Sequence, residues 1–175
     1  MWLGPFSPAQ PTQFRERGHR AAPDGASDQG DYTPHVRGIL SYGSYVPYRR
    51  LDRAAIAEVM GAGGGRGTRA VASFDEDTTT MGVAAARIAL AGTGANPDAV
   101  WFSTASPAYL EKTNAAAIHA ALRLPAGTGA FDFGGAVRSG VGALHAALDG
   151  GPTVLTVLSD VRTGLPTSGD EATGG

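Results

Sequence analysis

From Gly38 onward, short apolar runs of strand length alternate with longer segments in which apolar residues return every three or four positions. The first run, "GILSYGSYVP", is rich in aliphatic and aromatic residues and closes at Pro47, which has no N–H to give to a ladder. "LDRAAIAEVM" follows as a helix, with Asp52 as N-cap and Ile56, Val59 and Met60 on one face. The glycine cluster "GAGGGRGTR" interrupts the pattern. "FDEDTTTMGVAAARIAL" then opens a second helix, with acidic residues at its positive end and Met81, Ala85 and Ile88 along one stripe. Beyond it, "AVWFSTA" predicts a strand and "TNAAAIHAALRL" a helix with Ala117, Ile118, Ala121 and Leu122 inward. "GAFDF" predicts a further strand, Ala136 to Leu148 a helix, and "PTVLTVL" a last strand.

Strands that read as nearly continuous apolar runs, separated by helices, define an α/β protein with a mostly parallel sheet covered on both faces. The helix from Ala136 departs from ordinary amphipathicity. Val137, Val141, Leu144 and Leu148 form one face, yet Gly140, Gly142, Ala143, Ala146 and Ala147 leave only Arg138, Ser139 and His145 as polar groups. An interior glycine costs a helix about 1 kcal/mol against alanine, which is tolerated where another backbone must come close. The segment is therefore expected to be buried all round, as between two sheets. Residues 1–36 carry Pro5, Pro8, Pro11, Pro23 and Pro34 without sustained periodicity and are read as a disordered extension, leaving 37–175 as one domain. That domain holds too little material for two sheets. The second sheet is expected from a carboxy-terminal half, a second subunit or another polypeptide, and the turn-like ending "DEATGG" fits truncation or a split gene.

Composition narrows the chemistry. Charged residues make up 17% of the 175 residues and the net charge is -2, with an isoelectric point of about 6.0, so nothing marks a nucleic-acid or anionic-membrane partner. The absence of cysteine removes disulfides, thiolate metal sites and every cysteine nucleophile. No continuous apolar segment resembles a secretory signal or a membrane span, and a cytoplasmic protein is expected. The carboxylates of Asp75, Glu76 and Asp77 are explained by helix capping, and no metal site is expected.

In order and spacing, "GILSYGSYVPYRRLD", "GTRAVASFDEDTTTMGVAAARIAL", "VWFSTASPAYLEKTNAAAIHAAL", "FDFGGAVRSGVGAL" and "VLSDVRTGLPTSGDEATGG" resemble the thiolase superfamily. Within it they resemble the hydroxymethylglutaryl-CoA synthase and 3-oxoacyl-ACP synthase III branch, over an amino-terminal half. The resemblance implies one half of an α/β/α/β/α layered sandwich, usually paired as a dimer. It also implies a coenzyme A thioester as ligand, with no permanently bound cofactor. The family places a nucleophilic thiolate at the start of the buried helix, where the helix end lowers the thiol pKa and the sulfur takes an acyl group. This chain has Val137 at the matching position. The synthase branch's acid/base glutamate falls on a segment resembling "STASPAY", at Ala105. The histidine and asparagine that complete the family's site belong to its second half. Resemblance also assigns Arg66 and Arg69 to the nucleotide phosphates of coenzyme A.

The residues give three further readings. "GAGGGRGTR" follows a helix and lacks the Gly-Lys-Ser/Thr ending, so it matches neither phosphate-binding fingerprint, and a plain loop is its simplest reading. Ser139, about 200° around the helix from Val137, has no base placed to activate it. His119 and His145 read as packing residues and Asp132 as a structural acceptor, while "TASPAYLEKTNA" reads as a helix-entry loop, with a substrate entrance reached by Tyr109 and Lys112 as the alternative. The expectation is an acyl-CoA-handling protein that is incomplete or non-catalytic. The alternative is a structural or acyl-CoA-binding subunit of a homodimer, or of a complex with a complementary thiolase half or an OB-fold partner.

Overall fold

β3 (Ala99–Thr104) is the strand around which the chain is built, and a computed structural model describes residues 37–134 and 137–162 of the protein. β3 pairs in parallel with β4 (Gly129–Gly134) on one side and with β5 (Val154–Leu158) on the other, giving the order β4-β3-β5. Phe102 stands opposite Asp132 and Val157, and Trp101 opposite Phe131 and Thr156, so alternate residues of all three strands share a face. One face carries Val100, Phe102, Leu155 and Val157. It packs on Val83 and Ala86 of α2 (Thr78–Leu90) and on Ala115 and Ile118 of α3 (Asn114–Leu122), forming the main core. The other face carries Trp101, Ser103 and Phe133 and meets α4 (Val137–Asp149). Central position explains why "AVWFST" is apolar without alternation: both of its faces are covered.

Local chemistry sets the helix starts. Asp52 accepts from Ala54 N at the start of α1 (Arg53–Met60), as its capping position requires. Asp77 and Thr80 exchange side-chain and backbone hydrogen bonds in a capping box at the start of α2. α1 stands between two short strands, β1 (Arg50–Asp52) and β2 (Thr68–Ala70), which pair antiparallel. The run 61–67 returns the chain from α1 to β2 with Gly61, Gly63, Gly64, Gly65 and Gly67 all at positive φ. At Gly64 the need is also spatial, since a Cβ would sit 1.9 Å from the carbonyl oxygen of Arg53.

Three expectations are corrected. "GILSYGSYVP" forms no strand. It lies extended beside α2, with Ser41 Oγ donating to Ala89 O and Gly43 against the helix backbone, while Ile39, Leu40, Tyr42 and Val46 are exposed. A β-prone run becomes a strand only where a neighbour supplies hydrogen bonds, and none does so here. On α1 only Ile56 is buried, and Val59 and Met60 face outward because no further layer among the described residues covers that helix. Ile88 and Ala121 are likewise exposed at the ends of their stripes.

α4 meets the sheet with one side, as expected of a helix whose second sheet comes from elsewhere. It is covered on one side only: Ala143 is fully buried (0% exposed), whereas Val141 is 68% exposed and Leu144 40%. Gly140 meets the sheet so closely that a Cβ would fall 2.2 Å from Leu158 Cδ2. The small residues thus serve the close approach inferred from them, and Val141, Leu144 and Leu148 are left exposed, as on a helix whose second covering layer is expected from elsewhere. The segment 1–36, read as a disordered extension, lies outside the described residues, as do Gly135, Ala136 and 163–175.

Candidate functional site

Open parallel sheets offer their ligand sites beyond the carboxyl ends of the strands, where loops diverge above them. Here Thr104 and Gly134 end β3 and β4 as direct partners. The chain leaves β3 into the loop 105–113 and leaves β4 into α4, whose first residue is Val137. Ala105 and Val137 therefore lie at the same edge, on adjacent strand exits.

Two carboxylates hold that edge together. Asp160, just after β5, accepts from Thr104 Oγ1 (3.0 Å) and from Ala105 N (2.8 Å), tying the start of the loop to the neighbouring strand. Thr104 Oγ1 also accepts from Ser106 N at 3.0 Å, and Thr78 Oγ1 donates to Ser106 O at 2.8 Å, so the loop is anchored on α2 as well. Asp132 on β4 performs the second closure. Its carboxylate accepts from Asn114 N and Ala115 N, both at 2.7 Å, and from Asn114 Nδ2 at 3.2 Å. α3 thus begins without a side-chain cap from Thr113 and takes its cap from the adjacent strand.

Asn114, buried at 3% exposure, carries this closure into the loop. Its Oδ1 accepts from Tyr109 N at 3.0 Å and from Thr79 Oγ1 at 3.4 Å, and its Nδ2 donates to Tyr109 O at 3.0 Å. A buried amide satisfied at both ends fixes the backbone around it. The result is a cavity of about 340 Å³ beneath the loop, lined among others by Phe102, Thr104, Tyr109, Lys112, Asn114 and Asp132. The Lys112 ammonium stands 4.9 Å from the centre of the Tyr109 ring, within cation–π range.

A second polar cluster lies near the start of α2. Tyr45 hydroxyl and Ser73 N both donate to Glu76, the latter at 2.6 Å, and Arg49 Nε donates to Ser73 Oγ at 3.2 Å. The hydrogen bond from Ser73 N, with that from Tyr45, holds the Glu76 carboxyl below its ordinary pKa, and the bond to Glu76 pushes the Tyr45 phenol up.

Asp132 acts as the acceptor expected of it, and Tyr109 and Lys112 line the cavity. Ser139 Oγ donates to Gly134 O at 2.9 Å, so its hydroxyl is engaged in the turn into α4. His119 bonds Pro125 O at 3.0 Å, as a satisfied packing histidine would. His145 is instead exposed and paired with Asp149 at 2.9 Å. Arg66 is exposed in the glycine run and Arg69 half-buried on β2, and neither lines the cavity. Among the described residues no cluster of histidine and carboxylates has the makings of a metal site, and no helix is long and apolar enough to cross a membrane. Asn114 and Asp160 escaped sequence reasoning. Their partners are 18 and 55 residues away, and no local pattern reports such contacts.

No family model matches the chain. It is 38% identical over 115 residues to the hydroxymethylglutaryl-CoA synthase of Thermococcus sibiricus, covering 63% of this chain and 33% of that protein. Its fold superposes on the structure described as MvaS in complex with 3-hydroxy-3-methylglutaryl coenzyme A. The TM-score is 0.65 at 25% identity, over 76% of this chain and 36% of the other. A 3-oxoacyl-(acyl-carrier-protein) synthase III gives a TM-score of 0.61 over 71% of this chain and 42% of that one, a likeness of fold at 22% identity. The chain spans about a third of the length of the curated Thermococcus sibiricus relative.

Proposed function

We propose that this chain, which resembles the hydroxymethylglutaryl-CoA synthases and 3-oxoacyl-ACP synthases III of the thiolase superfamily, handles acyl-coenzyme A without condensing it. One observation carries the reading: the adjacent strand exits where the family resemblance puts nucleophile and acid/base hold Val137 and Ala105. A valine side chain neither ionises nor forms a thioester, and an alanine moves no proton. With no cysteine in the chain and Ser139 Oγ turned to Gly134 O, no described group near the start of α4 substitutes for the thiolate. What remains is a binding role. The cavity under 105–113 takes the acyl end, and Arg66 and Arg69 meet the phosphates of coenzyme A. Support comes from the coenzyme A ligand described for the structural relative.

Calorimetric titration with acetyl-CoA tests this. Binding is expected, weakened at least about tenfold when Arg66 and Arg69 are both reversed to glutamate, because two charge-assisted contacts are lost. A flat titration of the parent protein, or unchanged affinity of the reversed variant, contradicts it.

The exposed face of α4 favours a second reading, in which the chain is one subunit of a complex. Val141, Leu144 and Leu148 form an exposed apolar stripe on α4. Such a stripe is unusual for a surface that ends in water. A complementary thiolase half is the covering layer of the right kind, with a homodimer or an OB-fold partner as the other occupants. Sedimentation velocity of the chain alone and with a thiolase half distinguishes them. Val141→Asp is expected to abolish the association, and an unchanged complex refutes the α4 contact.

A further inference from the structure

Away from the carboxyl edge, the ends of α2 and α3 lie side by side around an open groove of about 480 Å³, lined by Arg87, Leu90, Ala91, Ala121, Leu122 and Arg123. Arg87 reaches across it, donating from Nη2 to Ala121 O at 3.3 Å. Leu90 and Leu122 rest on the main core from above, so the floor of the groove is apolar and anchored. Among the described residues the lining holds no carboxylate.

Arg123 is the unusual member. It closes α3 at φ 56 and ψ 42, the sole non-glycine residue at positive φ among those described. Glycine is the residue this cap position favours, and a side chain there is disfavoured by contact with its own backbone. An arginine in that place adds nothing to the cap, because the cap is made by its backbone N–H to Ala120 O and His119 O. What it adds is a second arginine in the lining of the groove, beside Arg87.

We propose that this groove docks an acidic helical segment of a partner protein, with carboxylates meeting Arg87 and Arg123 and an apolar side chain between them on Leu90 and Leu122. Charge complementarity selects that occupant. The groove stands at the negative ends of two helices, whose last carbonyls oppose a compact dianion such as phosphate. Guanidinium groups on long stems still engage single carboxylates in paired hydrogen bonds, away from those carbonyls. The apolar floor gives a peptide side chain a place that an inorganic ion cannot use.

A fluorescein-labelled helical peptide with glutamate on both sides of a leucine stripe, titrated into the full chain and read by anisotropy, tests the proposal. Saturable binding that weakens as salt rises is expected. Arg123→Gly and Arg87→Gln should each weaken it about tenfold, the loss of one charge-assisted contact. Arg123→Gly relieves the left-handed arginine, so its melting temperature should rise while its binding falls, which separates docking from folding. The proposal is overturned by no binding to the parent protein, by equal binding of a lysine-for-glutamate peptide, by displacement with millimolar phosphate, or by unchanged affinity of Arg123→Gly.

Discussion

Asp132→Asn tests the closure that shapes the candidate site. The carboxylate accepts from Asn114 N, Ala115 N and Asn114 Nδ2, and an amide in its place presents one acceptor oxygen and one donor group to three donors. At least one N–H at the start of α3 must then lose its partner and face another N–H. A buried donor left unsatisfied costs about 1–3 kcal/mol, and loss of a helix cap costs about 1 kcal/mol. The two overlap, and Asp132 is itself exposed to solvent, so a net loss of about 2 kcal/mol is expected. Urea denaturation followed by circular dichroism measures it: the midpoint should fall with the slope unchanged. Asn114→Ala should cost a similar amount, and the double variant less than the sum, since both remove one interaction. Asp132→Asn within about 0.5 kcal/mol of the parent, or strict additivity with Asn114→Ala, would show that the closure does not hold the loop.

Phe102→Ala, which empties a side chain only 1% exposed at the centre of the main core, should destabilise by about 3–5 kcal/mol in the same assay. Gly43→Ala places a Cβ 2.5 Å from Ala89 N and 2.6 Å from Ala85 O, both backbone atoms of α2. The segment 37–48 should then come off the helix, and chymotrypsin should cleave at Tyr42 and Tyr48 faster than in the parent. Stability should also depend on pH through Tyr45 and Glu76. The depressed Glu76 pKa gives a contribution present above its unfolded pKa and lost as pH falls through the lower folded value. The raised Tyr45 pKa gives one complete below its unfolded pKa and lost as pH rises through the higher folded value. Tyr45→Phe should flatten the alkaline limb of a melting-temperature profile, and an identical limb would show that the contact does not bear on folding.

Interior elements were the legible part of this fold. "AVWFST" reads as a strand covered on both faces because such burial removes the need for polar alternation, and Asp52 and the acidic run Asp75, Glu76 and Asp77 mark helix starts because a cap is a local bond. The misreadings have a common physical origin in partners that lie elsewhere. The run 38–47 carries strand-like residues, and their propensity says nothing of whether a strand stands beside it. Val59 and Met60 have apolar periodicity without a layer to cover them among the described residues. β1 and β2 hold only three residues each, too few to show a period. At the site, the positions of Val137 and Ala105 came from family resemblance, and their arrival on adjacent strand exits is a consequence of the β4-β3 pairing. The bonds from Asp160, Asp132 and Asn114 that shape that edge join distant residues, which a reading along the chain does not bring together.

The central claim is that this chain engages acyl-coenzyme A and forms no acyl-enzyme. Mass spectrometry of the protein incubated with acetyl-CoA addresses both halves in one sample, recorded first under native conditions and then after denaturation. A complex of protein and acetyl-CoA is expected in the native spectrum, and the unmodified chain mass after denaturation. An acetyl adduct that survives denaturation would contradict it, because some group other than Val137 would then be serving as nucleophile.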